Sequence, residues 1–262
     1  MTNAQLDGRS AVVTGAGRGI GRALAERLAA LGVRVLLVAR TADELDAAAT
    51  AIRETGGTAE TLRADLAADG APAEVAAAAT ERLGGVDILV NNAAVVAPLA
   101  SKSSTVGVEE WTRSMTLNVT APVMLTFALL PGMLDRGWGR VVNVSTGAVA
   151  RPGSMIGGNS YITTKAALEG HTLNLAAELD GSGVTANVYR PGLVDTAMQA
   201  WIRDQDPDRI GTAMHDRFIR NHEDGRLLTA DASARVLIGR IAGDETGRVW
   251  SVDDPAPVSG AG

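Results

Sequence analysis

The sequence contains no cysteine, which excludes a disulfide scaffold, thiolate metal sites and a cysteine nucleophile. Histidine is nearly as scarce. His171, His215 and His222 are the three imidazoles, none in an HExxH spacing, so no zinc hydrolase and no metal site is expected. Basic residues never form a block and the formal net charge is −6, which argues against nucleic acid as the main partner. No uninterrupted apolar run of about 18 residues is expected, and the N-terminal residues are polar rather than basic-then-apolar. These absences point to a soluble, cytoplasmic chain without a membrane partner. Aromatic residues make up only 3% of the chain, and its two tyrosines are Tyr161 and Tyr189, so a tyrosine inside a motif carries information.

What is present is a regular alternation. With 262 residues and 46% hydrophobic composition the chain can bury a substantial core. Ser10–Thr14, 33–39, 58–63, 86–90, 140–144, 184–189 and 248–252 read as strands, rich in Val, Leu and Ile with little alternation, as in parallel sheets covered on both faces. Helical spacing occupies 20–31, 41–55, 72–83, about 109–135, 160–179 and 230–241. Pro122 and Pro131 predict a kink or break in the longest helix. Repeating βα units with no linker favour one domain over residues 1–262, an α/β, Rossmann-like, doubly wound parallel sheet of about seven strands in a three-layer sandwich. Residues 197–226 are charged with scattered large apolar groups, and the tail 255–262 has the composition of a frayed terminus.

Gly15, Gly17, Gly19 and Gly21, with Arg18 and Ile20 between them, stand where the first strand meets the first helix. Glycines there allow a tight turn and let backbone N–H groups approach a diphosphate, so a dinucleotide is the expected cofactor. The end of strand two selects between cofactors. A carboxylate would bind the ribose 2′-hydroxyl, whereas this chain has Ala39, Arg40 and Thr41, which leaves room and a cation for a 2′-phosphate. NADP(H) is therefore favoured over NAD(H), with Arg18 also within reach of that phosphate. Asp65 and Leu66 after strand three fit an adenine contact or a plain strand-end cap. Asn91, Asn92, Ala93 and Ala94 after strand four either tie strands together or line the ribose.

Tyr161 and Lys165 stand four residues apart at a helix start and so share one face. A phenol of pKa near roughly 10 is too weak an acid for neutral-pH work, and an adjacent ammonium is expected to lower it. Asn143-Val144-Ser145-Thr146-Gly147 nearly matches a serine-hydrolase nucleophile elbow, but the first glycine is missing and Arg151-Pro152-Gly153 follows where a helix should begin. A non-catalytic nucleotide-binding regulator on the same fold is a further alternative, against which the Tyr161/Lys165 pair speaks.

TGAGRGIG at 14–21, Asp65, NNAA at 91–94, Asn118, NVSTG at 143–147, YITTK at 161–165 and RPGLVDT at 190–196 stand in the order, and near the spacings, of the short-chain dehydrogenase/reductase family, which the chain resembles closely over 8–196. The resemblance implies an oxidoreductase moving hydride between nicotinamide and a carbonyl or secondary-alcohol substrate. It gives Tyr161 the role of general acid or base and Lys165 that of holding the nicotinamide ribose. Asn118 holds a relay water, and a hydroxyl after strand five polarises the carbonyl. Register assigns that hydroxyl to Thr146. The 15-residue interval to Tyr161, about two longer than usual, leaves Ser145 as the alternative. In the segment Pro191, Gly192, Val194 and Thr196, the resemblance gives Val194 the carboxamide and Thr196 a cofactor phosphate. It further implies a substrate lid at 197–226, carrying Met198, Trp201, Ile202, Met214, Phe218 and Ile219, and a homodimer or homotetramer. Trp111 is expected in the core.

Overall fold

Every strand among the described residues joins one parallel sheet. The computed structural model describes residues 5–255; residues 1–4 and nearly all of the tail expected to fray, 256–262, lie outside them. The strands are β1 (Ser10–Thr14), β2 (Arg34–Ala39), β3 (Ala59–Arg63), β4 (Ile88–Asn91), β5 (Gly139–Val144), β6 (Val184–Arg190) and β7 (Val249–Ser251). Their order is β3-β2-β1-β4-β5-β6-β7, and every neighbouring pair is parallel. Chain direction across the sheet therefore reverses between β1 and β4, opening a crevice at their carboxyl ends.

The two faces of the sheet bury separate cores. Ala11, Val13, Val35 and Leu37 point to one face, under α1 (Gly19–Ala29) and α2 (Ala42–Glu54). Val12, Leu36 and Val38, one residue out of step, point to the other, under α3 (Ala71–Leu83) and the helices from the chain's middle. This period-2 division explains why the strands read as unbroken apolar runs: both sides of the pleat are covered. Each fully buried Leu or Val contributes roughly 1.5–3 kcal/mol of transfer free energy.

The long helix does break. It comprises α4 (Val108–Met115), a π-helical turn at Thr116–Thr120 and α5 (Ala121–Asp135). The change falls just ahead of Pro122, which sits in the first turn of α5, whereas Pro131 is accommodated inside it. Pro122 has no N–H to donate to the Asn118 carbonyl four residues back, so the α-helical ladder cannot run through this point. An 18-residue window within Val108–Asp135 reaches a mean hydropathy of 1.6, enough in length and composition to cross a membrane, which corrects the expectation that no such stretch exists. In this fold 44% of that window is buried, with Leu125, Leu129 and Met133 in the core beneath the sheet. Trp111 on α4 is only half-buried and belongs to no core cluster, contrary to expectation.

After β5 the chain forms two 3-10 turns, Gly147–Ala150 and Pro152–Met155, and then α6 (Asn159–Glu178). After β6 it forms α7 (Ala197–Arg203), α8 (Pro207–Ile210) and α9 (Thr212–Glu223), followed by α10 (Ala230–Ile241). A third, smaller core joins these segments: Met155 and Tyr161 pack with Ile202, Ile210, Met214 and Phe218.

Candidate active site

The carboxyl ends of β1 and β4 are stitched together before any ligand is considered. Thr14 Oγ1 accepts from the Asn92 and Ala93 amides, each at 3.0 Å. In return the Asn92 side-chain amide donates to the carbonyls of Thr14 (2.9 Å) and Gly15 (3.3 Å). Gly15 (φ +65°) and Gly19 (φ +57°) take backbone conformations that L side chains rarely adopt, and a Cβ on Gly15 would lie 2.8 Å from the Asn92 amide nitrogen. Helix α1 then begins with no acidic residue in its first turn and no side-chain cap, so its N–H groups and positive dipole end remain available to an anion. The chemistry of this cradle fits a dinucleotide diphosphate.

The paired asparagines divide the two roles between them. Asn91 is buried and donates to Asn143 Oδ1 (2.8 Å) and Thr126 Oγ1 (3.2 Å), while Asn143 donates to Thr172 Oγ1 (2.8 Å). That amide chain crosses from β4 through β5 to α6. Asn92 lines the crevice.

One cavity of about 1140 Å³ joins the glycine loop to the segments after β5 and β6. Gly15, Gly17, Arg18, Gly19, Ile20, Arg40, Thr41, Asp65, Leu66, Asn92, Ala93 and Ala94 line it, and so do Ser145, Thr146, Tyr161, Lys165, Pro191, Gly192, Val194 and Thr196. Two expected residues do not. Gly21 is buried, and a Cβ there would collide with the Gly15 carbonyl, so its part is close packing of the turn. Asn118 lies in the π turn, fully buried, with its side chain engaged. Its Oδ1 accepts from the Val95 amide at 2.8 Å, and its Nδ2 donates to Val95 O (2.8 Å) and Thr164 Oγ1 (3.1 Å). Any relay through Asn118 therefore runs through its main chain, whose carbonyl Pro122 cannot serve.

Arg18, expected to reach a 2′-phosphate, instead pairs with Glu44 at 3.2 Å. Arg40 is exposed and its guanidinium has no ion-pair partner among the described residues. Asp65 accepts from the Ala67 amide at 3.1 Å, as a strand-end cap would, and also pairs with Arg113 at 3.3 Å.

Tyr161 and Lys165 both lie within the first two turns of α6, and both are buried. The Lys165 ammonium donates to the Val144 carbonyl at 2.7 Å and stands 5.9 Å from the centre of the Tyr161 ring. Burial pushes the phenol up to about 12. The lysine is pulled down to about 8 by burial, with Glu169 opposing. The expectation that the ammonium lowers the tyrosine pKa is therefore corrected for the chain's own groups: desolvation of the phenolate outweighs a cation at this distance.

Glu169, one turn beyond Lys165, was not singled out by any motif. Its carboxylate accepts from Ser145 Oγ (2.6 Å) and from Arg190 Nε (2.9 Å) and Nη2 (2.7 Å). The Ser145 hydroxyl is thus committed away from the cavity. Thr146 Oγ1 only accepts, from the Ala148 amide at 3.3 Å, and keeps its proton to give. No histidine lines the cavity among the described residues, and 3-10 turns rather than a helix follow Ser145, so the hydrolase reading lapses.

Comparison with known proteins agrees with this arrangement. The family model described as short chain dehydrogenase matches residues 9–207. The short-chain reductase protein NovJ of Streptomyces niveus is 37% identical over 253 residues, covering 94% of this chain and 93% of the relative. A structure of a variant of actinorhodin polyketide ketoreductase with NADPH superposes with a TM-score of 0.82 at 30% identity, covering 95% and 96% of the two chains. A 3-oxoacyl (acyl-carrier-protein) reductase from Agrobacterium tumefaciens C58 with NADP bound gives 0.81 at 32% identity, covering 94% and 93%. A glycine cradle at the sheet's reversal point, a buried Tyr161/Lys165 pair on the same cavity and a family match over most of the chain lead to one conclusion: the chain belongs to the short-chain dehydrogenase/reductase family and is an NAD(P)-dependent oxidoreductase acting on CH–OH or carbonyl groups.

Proposed function

We propose that this oxidoreductase is a ketoreductase or alcohol dehydrogenase for secondary alcohol/ketone pairs and that it takes NADP(H) in preference to NAD(H). The observation that carries the reading is the shared cavity, in which Tyr161 and Lys165 line the same space as the glycine loop. When bound, the dinucleotide supplies or accepts the hydride. The glycine loop and the start of α1 hold its diphosphate, Arg40 its 2′-phosphate, and Asp65 with Leu66 its adenine. Lys165 holds the nicotinamide ribose hydroxyls. The Val194 main chain takes the carboxamide, and Thr196 a phosphate oxygen.

Tyr161 protonates the carbonyl oxygen in reduction and recovers the proton in oxidation. A phenol held near 12 keeps its proton until the substrate oxygen becomes strongly basic, which suits an acid that acts only at the moment of reduction. Thr146, not Ser145, polarises the carbonyl, because the Ser145 hydroxyl already donates its hydrogen bond to Glu169. Lys165 and the Asn118 main chain return the proton from solvent.

Glu44 in the cavity wall favours a second reading, NAD(H), because its carboxylate occupies Arg18 at the adenosine end. The Arg40→Asp variant separates the two. For an NADP(H) enzyme, NADPH binding weakens by roughly 10- to 100-fold while NADH binding changes little, as expected for loss of a charge-assisted contact. Equal loss for both, or a wild-type preference for NADH, rejects the NADP(H) assignment.

The reaction itself is tested by NADPH oxidation at the cofactor's absorbance against a panel of ketones and quinones. Tyr161→Phe is expected to retain NADPH binding and lose about 10²- to 10⁴-fold in turnover. Unchanged turnover removes Tyr161 from the role. A wild type that binds NADPH but oxidises it with none of the panel supports the non-catalytic alternative. We further propose that the chain assembles as a homodimer or homotetramer through the outer face of α5 and α6.

A further inference from the structure

The cavity wall carries six basic side chains, Arg18, Arg40, Arg151, Lys165, Arg217 and Arg226, against three acidic ones, Glu44, Asp65 and Asp253, in a chain of net charge −6. Most of these charges are accounted for. Arg18 pairs with Glu44 (3.2 Å), Asp65 with Arg113 (3.3 Å) and Arg226 with Asp224 (2.9 Å). Lys165 donates to Val144, and Arg40 stands at the adenosine end. Asp253 follows Val252, whose side chain packs on Gly192 at the far side of the β6 loop.

Two cations remain, and both lie at the substrate end. Arg151 sits between the two 3-10 turns after β5, and Arg217 projects from α9. Neither guanidinium has a hydrogen-bond acceptor or a carboxylate among the described residues. Arg217 is half-buried, with its guanidinium carbon 5.4 Å from the centre of the Phe218 ring. Burial pulls its pKa below the usual arginine range, and no carboxylate among the described residues offsets it. A guanidinium fork that opens on the cavity without a protein acceptor matches the geometry of carboxylate or phosphate.

We propose that the substrate carries an anionic group, a carboxylate or a phosphate, separated from its carbonyl by an apolar body, and that Arg217, assisted by Arg151, receives that group. The body lies along Met155, Trp201 and Phe218, between the lid and Tyr161. This inference rests on the reading of the chain as a carbonyl reductase and specifies the substrate class of that site.

The test uses the full chain with NADPH and three matched ketones: 4-acetylbenzoate, 4-acetylphenyl phosphate and the neutral methyl 4-acetylbenzoate. The wild type is expected to prefer at least one anion over the ester by roughly 10- to 100-fold in kcat/KM, expressed mainly in KM and reduced by salt. Whichever anion is preferred identifies the group. Arg217→Met is expected to collapse that ratio, and Arg217→Lys to restore part of it. Arg151→Met, at an exposed position, lowers the ratio by less and serves if Arg217→Met does not fold. An ester reduced as well as both anions, or a ratio untouched in both Met variants, overturns the proposal.

Should none of the three ketones be reduced, the carbonyl-reductase reading is what that panel challenges. The anion site is then decided by quenching of tryptophan fluorescence with benzoate and phenyl phosphate against benzamide. Anion-selective quenching lost in Arg217→Met supports the site, and equal or absent quenching by all three probes rejects it.

Discussion

A buried lysine imposes a cost on the folded state, and its pH dependence gives the cost a sign. Lys165 falls from an ordinary value of 10.5 to about 8 in the fold. Below about 8 both states are protonated and the fold carries the full penalty of a buried ammonium. Between about 8 and 10.5 the unfolded chain binds the proton that the folded chain has released, so stability rises with pH across this window. Tyr161, raised from 10.0 to about 12, acts in the opposite sense at higher pH, its contribution being lost as pH climbs from 10 toward 12. Urea unfolding of the wild type and of Lys165→Met between pH 7.5 and 9.5 isolates the lysine. The stability of the wild type relative to the variant is expected to increase with pH, whatever constant offset the lost bond to Val144 introduces. A difference that stays flat means that the ammonium titrates at its ordinary value. At this scale the sequence was legible where a residue type is forced by geometry or chemistry. Gly15 and Gly19 need positive φ, and one of only two tyrosines, preceding a lysine by four, stands out in a chain poor in aromatics. Glu44, Glu169 and Arg217 were not legible. Each is an ordinary charge on a helix, and its meaning comes from partners far away in sequence or from having none.

Among the elements, the strands were readable because both faces of the sheet are covered, which leaves an apolar signature independent of period. Helices with one apolar stripe were equally clear. The π turn at Thr116–Thr120 was not. Pro122 and Pro131 both announced a break, yet only the first coincides with a change of helix type. Periodicity cannot separate the two, since one wide turn shifts the apolar pattern by a single residue and then resumes it. The wide turn carries Asn118, whose side chain clamps the Val95 peptide beside the cavity and whose carbonyl lacks a proline donor. The segment 197–226 was visible only as a charged region with scattered apolar groups, because α7 to α9 span 7, 4 and 12 residues, the first two too short for helical spacing to accumulate. Likewise, the hydroxyl after β5 could not be chosen from spacing. What separates the two hydroxyls is Glu169, which accepts the Ser145 hydrogen bond, and that contact joins the end of β5 to α6 and, through Arg190, to β6.

For the whole molecule, the unresolved burial lies on the outer face of α5 and α6. Met124, Phe127 and Leu134 on α5 are 43%, 48% and 41% exposed, and Leu173 on α6 is 40% exposed. The Phe127 ring meets His171 edge-on, with centroids 5.6 Å apart, so the two helices present one continuous apolar surface. This surface also explains why the 108–135 stretch has the hydropathy of a membrane-crossing segment: one side covers the sheet, and the other has no cover among the described residues. A second copy docked face to face about a two-fold axis buries the same patch on both subunits, the commonest closed solution for a self-complementary face. Because α6 also carries Tyr161 and Lys165, such pairing would brace the helix that holds the reactive pair. Light scattering is expected to give a dimer or tetramer at micromolar concentration, with a Tm that rises with protein concentration. Phe127→Glu places a charge in the middle of the patch and is expected to shift the mass toward monomer and to abolish the concentration dependence. A monomeric wild type, or a variant whose assembly and Tm profile match the wild type, rejects this face as the subunit interface.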